Sequence, residues 1–421
     1  MSANAVSTPT TPRPVVQIIG PWLKNNGDQL NLWAIAQWLG RRAELAVSDT
    51  LGAEELPEQP VLGRITWRID RSAAGRAVRS RSSGRVMALA ADTLAASLAP
   101  SGRRARRRSL VPGRRIAALV DCSGYAYGDT WGIERVRSRT QYFRKLRRQG
   151  CKIIMLPQAF GPFLDPAKRG ACQALLDTCD LVFARDEQSL EHLRQLGVQV
   201  RIAGPAPDIT HGVQGVRPAD ADAWQRRVAI VPNARMLDRT ARGVDRRYVS
   251  LLHLSVESAR EQDLDPVLLL HEANDRGLAE RIASEARVRL PIVADDALRT
   301  KGMIAHSYAV IGSRYHALLS ALASGVPAIG TSWSHKYEAL FQDYDCSGCL
   351  LDLDADQASL RTQIQAILNP TARATMHDNL VRHTAVHQGR LAELHQQVEA
   401  AVFGERFLDA GASNGMLRGV G

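Results

Sequence analysis

The chain has 421 residues, of which 45% are hydrophobic and 23% charged, with a formal net charge of +11. That length gives room for two or three domains with substantial cores, and the composition excludes disordered, collagen-like and low-complexity classes. No apolar run is long enough to span a bilayer, and six cysteines in a chain of this size do not make a disulfide framework, so a reducing cytoplasmic setting is expected.

The basic charge is almost all arginine, because only 6 of the 54 Lys + Arg residues are lysine. A bias that runs along the whole chain weakens the meaning of any single Arg cluster. The run Arg103–Arg115, in "GRRARRRSLVPGRR", is dense enough to stand out. It lacks the interleaved aromatics that stack on bases, so an anionic membrane or substrate fits it better than nucleic acid, and a solvated basic loop remains the plainer reading.

In chain order, "MSANAVSTPTTPRP" lacks a basic stretch followed by an apolar one and reads as a short disordered leader, residues 1–14. "VVQIIG" predicts a buried strand and "DQLNLWAIAQWLG" a helix ended by Gly40. Residues 41–113 are irregular, with an Arg, Ser and Ala-rich helical segment ending at Pro100 and an Arg-rich insertion over about 70–115. From 115 the alternation is regular: strand "RIAALV", helix 134–150, strand "KIIMLP", helix 166–179, strand "LVFAR", helix 187–197, strand "VQVRI". A Pro and Gly-rich bridge at 203–222 breaks it. Strands "RVAIVP", "PVLLLHE", "YAVIG" and "VPAIG" then alternate with helices, and a helical region follows 354. Such alternation implies βαβ units and parallel sheets. The expected organisation is α/β, with two Rossmann-like domains facing across a cleft in the manner of a glycosyltransferase-B fold. The N-terminal domain is 15–210, a linker 211–224, the C-terminal domain 225–370, and a helical tail 371–421. No G-x-G-x-x-G follows the first strand, which speaks against a dinucleotide fold.

Open parallel sheets bind ligands beyond the carboxyl ends of their strands. The unusual polar clusters fall there: "KNNGD" with Asn26, Gly27 and Asp28; "DCSGYAYGD"; "QAFGPF" with Gln158 and Gly161; Arg185-Asp186; "NAR" at 233–235; His271-Glu272; Ser313 to His316; and His335-Lys336. Ser313 is a good N-cap, which would place Arg314, Tyr315 and His316 at the first helical positions, where free N–H groups and the helix dipole favour an anion. Arg314 could then grip phosphate or carboxylate, and His316 is a candidate proton carrier. A right-handed crossover between the two flanking strands would bring Lys336 to the same pocket. Asp186 can equally be a helix cap, and His271-Glu272 a strand-end hydrogen bond and nothing more. Cys346-Ser-Gly-Cys349 has no second pair at zinc spacing, and structural thiols are its simplest reading.

"GSRYHALLSALASGVPAIGTSWSHKYEAL" resembles the signature of the polysaccharide pyruvyltransferase family: Arg-x-His opening a small-residue helix, then Gly-x-Pro, then an aromatic residue three before a Lys. "NNGD", "LPQAFGPF" and "VFARDEQSLEHLRQLGV" resemble further motifs of that family in the same order, together covering most of residues 15–345. Trp333 stands where Tyr is more usual, and Ser123-Gly124 where a glycine pair is expected. The resemblance implies transfer of the enolpyruvyl unit of phosphoenolpyruvate to two hydroxyls of a sugar, giving a pyruvate ketal and phosphate, with phosphoenolpyruvate as donor substrate and no metal or other cofactor. It implies His316 as acid/base or phosphate contact, Arg185 and Arg314 as donor anchors with Tyr315, Lys336 assisting, Asp28 on the acceptor side with Asn26 and Gly27, and Gln158 and Gly161 shaping the cleft. The acceptor would be a glycan or a lipid-linked saccharide, with peripheral contact to an anionic membrane through Arg103–Arg115 and no nucleic acid. Competing readings are a nucleotide-sugar glycosyltransferase using Glu338 on ribose hydroxyls, an inactive scaffold whose polar loops do not converge, and a membrane or nucleic-acid module driven by the Arg run.

Overall fold

The computed structural model describes residues 13–21, 25–48, 67–69, 110–111, 115–238, 244–286, 288–331 and 335–404. Most of the Arg103–Arg115 run and the helical segment before Pro100 lie outside them, as do Lys24, Trp333 and the side chain of His335.

Two parallel sheets carry the chain. The first contains β1 (Val15–Ile19), β2 (Glu44–Ser48), β3 (Trp67–Ile69), β4 (Leu110–Val111), β5 (Ile116–Asp121), β6 (Tyr125–Tyr127), β7 (Lys152–Phe160), β8 (Leu181–Ala184) and β9 (Arg201–Ala203). Their order is β4-β3-β2-β1-β5-β7-β8-β9, with β6 paired to the far end of β7. The second contains β10 (Arg227–Val231), β11 (Asp265–Leu270), β12 (Ile292–Ala294), β13 (Ala309–Gly312), β14 (Ala328–Thr331) and β15 (Leu350–Leu351), in the order β12-β11-β10-β13-β14-β15. Every ladder within them is parallel. In each sheet the order reverses beside the first strand, between β1 and β5 and between β10 and β13. A crevice opens at such a switch point.

The runs of Val, Ile and Leu that predicted strands are buried on both faces, as parallel strands covered by helices must be. Three details differ from expectation. β7 continues through Gln158, Ala159 and Phe160, because β6 and β8 supply partners past the point where a loop was expected. β2 and the helix Ala297–His306 were not foreseen, the first because it is short and the second because Arg299 and Lys301 interrupt its apolar pattern. Ser313 is not the cap of the next helix. Its Oγ is 2.7 Å from Thr331 Oγ1, and its carbonyl accepts from Asn233 and Tyr337, so the peptide stays extended and Arg314 becomes the N-cap of Tyr315–Leu322.

The domains are fastened at three places. The helix Asn26–Trp38 of the first domain inserts its start into the second: Asn26 N–H donates to the His271 carbonyl at 3.2 Å, its side-chain amide donates to Thr300 at 3.2 Å, and Asn25 forms an antiparallel bridge with Glu272. The linker lies close on Ala297–His306, where a Cβ at Gly215 would strike Gly302 and the buried Lys301 ammonium donates to the Thr210 carbonyl at 2.8 Å. The 34-residue helix Pro370–Phe403 places Leu380 in the core of the second domain and Leu391, Leu394 and Val398 in that of the first.

Candidate active site

The site is built at the two switch points. The helix Tyr315–Leu322 starts at the end of β13 and the helix Asn26–Trp38 shortly beyond β1, and their first turns meet. The meeting is close. A Cβ at Gly27 would collide with Nδ1, Cγ and Cε1 of His316, so a glycine is required for the imidazole to lie against the first domain. The other ring nitrogen, Nε2, is 3.6 Å from Asp208 Oδ2 and has no hydrogen-bond partner among the described residues.

Asp208 lies in the Pro and Gly-rich bridge between the two runs of alternating strands and helices. It caps a short 3₁₀ turn, Oδ1 accepting from the N–H of Thr210 at 2.9 Å and from its hydroxyl at 2.7 Å. Its Oδ2 accepts from Arg185 at 3.1 Å. Burial would raise the pKa of this carboxyl, but His316, Arg185 and the Thr210 N–H outweigh it and hold it well below the usual carboxylate range. Asp208 is therefore a fixed anion that orients both Arg185 and His316. Only the Asp-x-Thr spacing of a local capping turn, masked by the surrounding prolines and glycines, marked it in the sequence.

Arg185 is buried at the end of β8, where its guanidinium lies 4.5 Å above the centre of the Tyr315 ring. Lys336 lies 5.3 Å from that ring and 5.5 Å from the ring of Tyr337. Burial, then the nearby Arg185 and Arg314, pull the Lys336 ammonium down to about 7 against the opposing pull of Asp28 and Asp208. Tyr315 thus has a cation on it from each domain. Asp28, in the first turn of its helix, is close enough for its charge to act on Lys336 and on Arg135.

Arg314 is not the open anion anchor expected. Its Nε donates to Asp275 Oδ2 at 2.8 Å, and its two Nη atoms bond Asp275 and Glu272. Asp275 also accepts from the Ala234 N–H at 2.9 Å, and the amide of Asn233 donates to the Ser313 carbonyl at 2.6 Å. Glu272 is therefore an ion-pair partner rather than an incidental strand end. His271 is a buried histidine, and burial pushes its imidazole well below the usual range, aided by His316, Arg314 and Lys301.

Gln158 and Gly161 lie on the first domain. Gln158 is fully buried at the end of β7, its carbonyl accepts from the Arg185 N–H, and neither atom of its side-chain amide has a partner among the described residues. Gly161 has φ +79°, precedes a cis Pro162, and would drive a Cβ into His192. Asp186 caps its helix, Oδ1 accepting from the Ser189 N–H at 2.7 Å, while Oδ2 is buried without a hydrogen-bond partner among the described residues. Glu338, the ribose-contact candidate of the glycosyltransferase reading, is exposed. Cys346 and Cys349 are half-buried free thiols, and among the described residues no group of His, Cys, Asp and Glu is arranged to hold a metal ion.

A family model described as polysaccharide pyruvyl transferase matches residues 25–335. No curated protein sequence matches the chain significantly. Among solved structures, the chain is similar to a putative UDP-N-acetylglucosamine 2-epimerase from Listeria monocytogenes, with TM-score 0.54 and 12% identity over 93% of this chain and 96% of that one. It is similar to the S. aureus MnaA-UDP structure, with TM-score 0.54 and 10% identity over 97% and 100%. It is also similar to Anabaena Alr3699/HepE in complex with UDP and glucose, with TM-score 0.53 and 10% identity over 94% and 100%. At such identities the likeness is one of fold, the two-domain glycosyltransferase-B type.

Proposed function

The chain belongs to the polysaccharide pyruvyl transferase family and is a transferase of polysaccharide biosynthesis, and from that premise we propose that its donor is phosphoenolpyruvate and its product a pyruvate ketal on a sugar of a glycan or lipid-linked saccharide. The observation that carries the reading is the chain of groups Arg185–Asp208–His316, which crosses from one domain to the other and ends on Tyr315 and Lys336.

Phosphoenolpyruvate carries a phosphate and a carboxylate, so its site needs two cations at fixed separation. Arg185 and Lys336, set from opposite domains against one tyrosine ring, meet that need, and Asp208 leaves one Nη of Arg185 buried and unpaired among the described residues. His316 carries the proton. In the first half-reaction the methylene carbon gains a proton, the carbon bearing phosphate becomes oxocarbenium-like, and a sugar hydroxyl adds to it with loss of its own proton. The C–O bond to phosphate then breaks, a second hydroxyl of the same sugar adds, and its proton leaves with the phosphate. His316 gives and takes these protons, its Nε2 lying 3.6 Å from Asp208, and Asp28 is the carboxylate on the acceptor side. Arg314 acts at one remove: it holds Glu272 and Asp275, which hold the loops that present Tyr315 and His316.

The test is thermal unfolding with phosphoenolpyruvate against phosphate, pyruvate and nucleotide sugars, followed by phosphate release with a saccharide acceptor. A ligand at about 100 times its Kd stabilises by roughly 2.7 kcal/mol. Selective stabilisation by phosphoenolpyruvate, lost in Arg185→Ala, is the expected result. Stabilisation by a nucleotide sugar instead would overturn it.

A further inference from the structure

On the two longest described helices the arginines are matched by carboxylates of the same helix. Val244–Glu261 sets Arg246, Arg247 and Arg260 against Asp245, Glu257 and Glu261, and Pro370–Phe403 sets Arg373, Arg382 and Arg390 against Asp378, Glu393 and Glu399. The helix Ile133–Arg147 does not follow this rule. Arg135, Arg137, Arg139, Arg144, Lys145 and Arg147 stand against Glu134 alone, and Arg148 caps its end.

Two of these cations have internal tasks, Arg139 on Asp121 and Ser123, and Arg147 on the carbonyls of Thr178 and Cys179. The buried stripe is Val136, Thr140, Phe143 and Leu146, which turns Arg137, Gln141, Arg144 and Arg148 outward at spacings of four, three and four. All four are exposed, as is Lys145. Arg137 pairs with the exposed Glu134, and among the described residues no carboxylate pairs with Arg144 or Arg148.

Beside the first turn of this helix is Leu164, 82% exposed. Its N–H donates to Asp129 at 2.7 Å, which fixes it next to the turn that leads into the helix. It follows the Gly161-Pro162 segment of the cleft, so the apolar tip lies at the cleft end of the basic stripe. The stripe carries no exposed aromatic ring for a base: Phe143 is buried and the Tyr142 hydroxyl donates to Gln17.

We infer that the face formed by Arg137, Arg144 and Arg148, with Leu164 at its cleft end, docks on the surface of an anionic phospholipid bilayer. Cations on a rigid helix match the negative leaflet potential, and one projecting leucine enters the headgroup boundary without a membrane-spanning segment. Docked so, the cleft end of the stripe lies at the bilayer surface, within reach of an acceptor borne on a lipid. The inference stands independently of the transfer chemistry.

The experiment is co-sedimentation of the full chain with phosphatidylglycerol–phosphatidylcholine vesicles and with pure phosphatidylcholine vesicles at several salt concentrations. The wild type is expected to bind only the anionic vesicles, and more weakly as salt rises. At about fivefold per basic residue, R137E/R144E/R148E should lower partitioning by at least about a hundredfold. Leu164→Asp should lower it by about tenfold. Unchanged thermal midpoint and ligand-induced stabilisation in the triple variant confirm that its fold is intact. If it does not fold, R144A/R148A takes the same readout. Undiminished binding by these variants, equal binding to both vesicle types, no binding by the wild type, or tighter binding to duplex DNA than to vesicles at the same salt would each overturn the inference.

Discussion

The two lips of the cleft differ in how completely their polar groups are used. On the second domain, Asn233, Asp275, Glu272, Ser313, Arg314 and Tyr337 form a closed network in which each donor finds an acceptor within the domain. On the first domain, the amide of Gln158, one Nη of Arg185 and Oδ2 of Asp186 are buried and unpartnered among the described residues. Buried polar groups are expensive to leave unpaired, so unused ones indicate where a polar ligand completes the site. The closed network is scaffolding; the open valences, to which the second domain adds Nε2 of His316, mark where the proposed donor would be held.

The sharpest way to break this comparison is to remove one arginine from each lip. Arg185→Ala and His316→Gln should each lower kcat/KM of the folded protein by roughly 10²–10⁴, and Arg185→Ala should also cost some stability because Asp208 keeps only Thr210 and His316. Arg314→Ala should act mainly on stability, because it leaves Asp275 buried and uncompensated, at a cost of about 3–5 kcal/mol in denaturant unfolding. If Arg314→Ala spares stability and abolishes donor binding, the assignment of lips is reversed. Gly27→Ala comes next, since its methyl group displaces His316. It should lower kcat by more than tenfold and cost about 1–3 kcal/mol by overpacking.

Lys336 gives a smaller and more specific signal. In the unfolded chain a lysine keeps its proton to about 10.4, whereas the folded one is pulled down to about 7. The unfolded state binds more protons across that window, so the stability of the free protein rises with pH there, and Lys336→Met should flatten that rise. A multiply charged anion reverses the preference. Donor binding at pH 8 should take up close to one proton, measured by calorimetry in two buffers of different ionisation enthalpy, and Lys336→Met should abolish it. The smallest effect is at Gln158. Gln158→Leu removes two unmade hydrogen bonds, so the free protein should unfold at the same or a slightly higher temperature while ligand-induced stabilisation shrinks.

Much of this fold was legible because parallel strands buried on both faces read as continuous apolar runs, as "RIAALV" and "YAVIG" do. The family signature likewise singles out His316, Tyr315, Lys336 and Arg185, which the fold brings together. What escaped depends on distance in three dimensions. Asp208 was hidden because a cap in a proline-rich bridge looks like a connection until Arg185 and His316 are seen around it. The ion pairs of Arg314 are not legible in the sequence because its partners, Glu272 and Asp275, are about forty residues upstream on another strand end. Gln158 reads as a loop residue because β7 is carried past the proline by an irregular pairing with β8 and by the three-residue β6, neither of which has a sequence signal.

The helix Pro370–Phe403 also bears on the order in which the molecule can be made. Leu391, Leu394 and Val398 fill the core that Val16, Ile18 and Leu30 begin. Domains emerging from a ribosome ordinarily fold in order of synthesis. Here the first of the two domains keeps an apolar seam open until residues 391–398 have been released, and a helix made after the second sheet closes the core of the first.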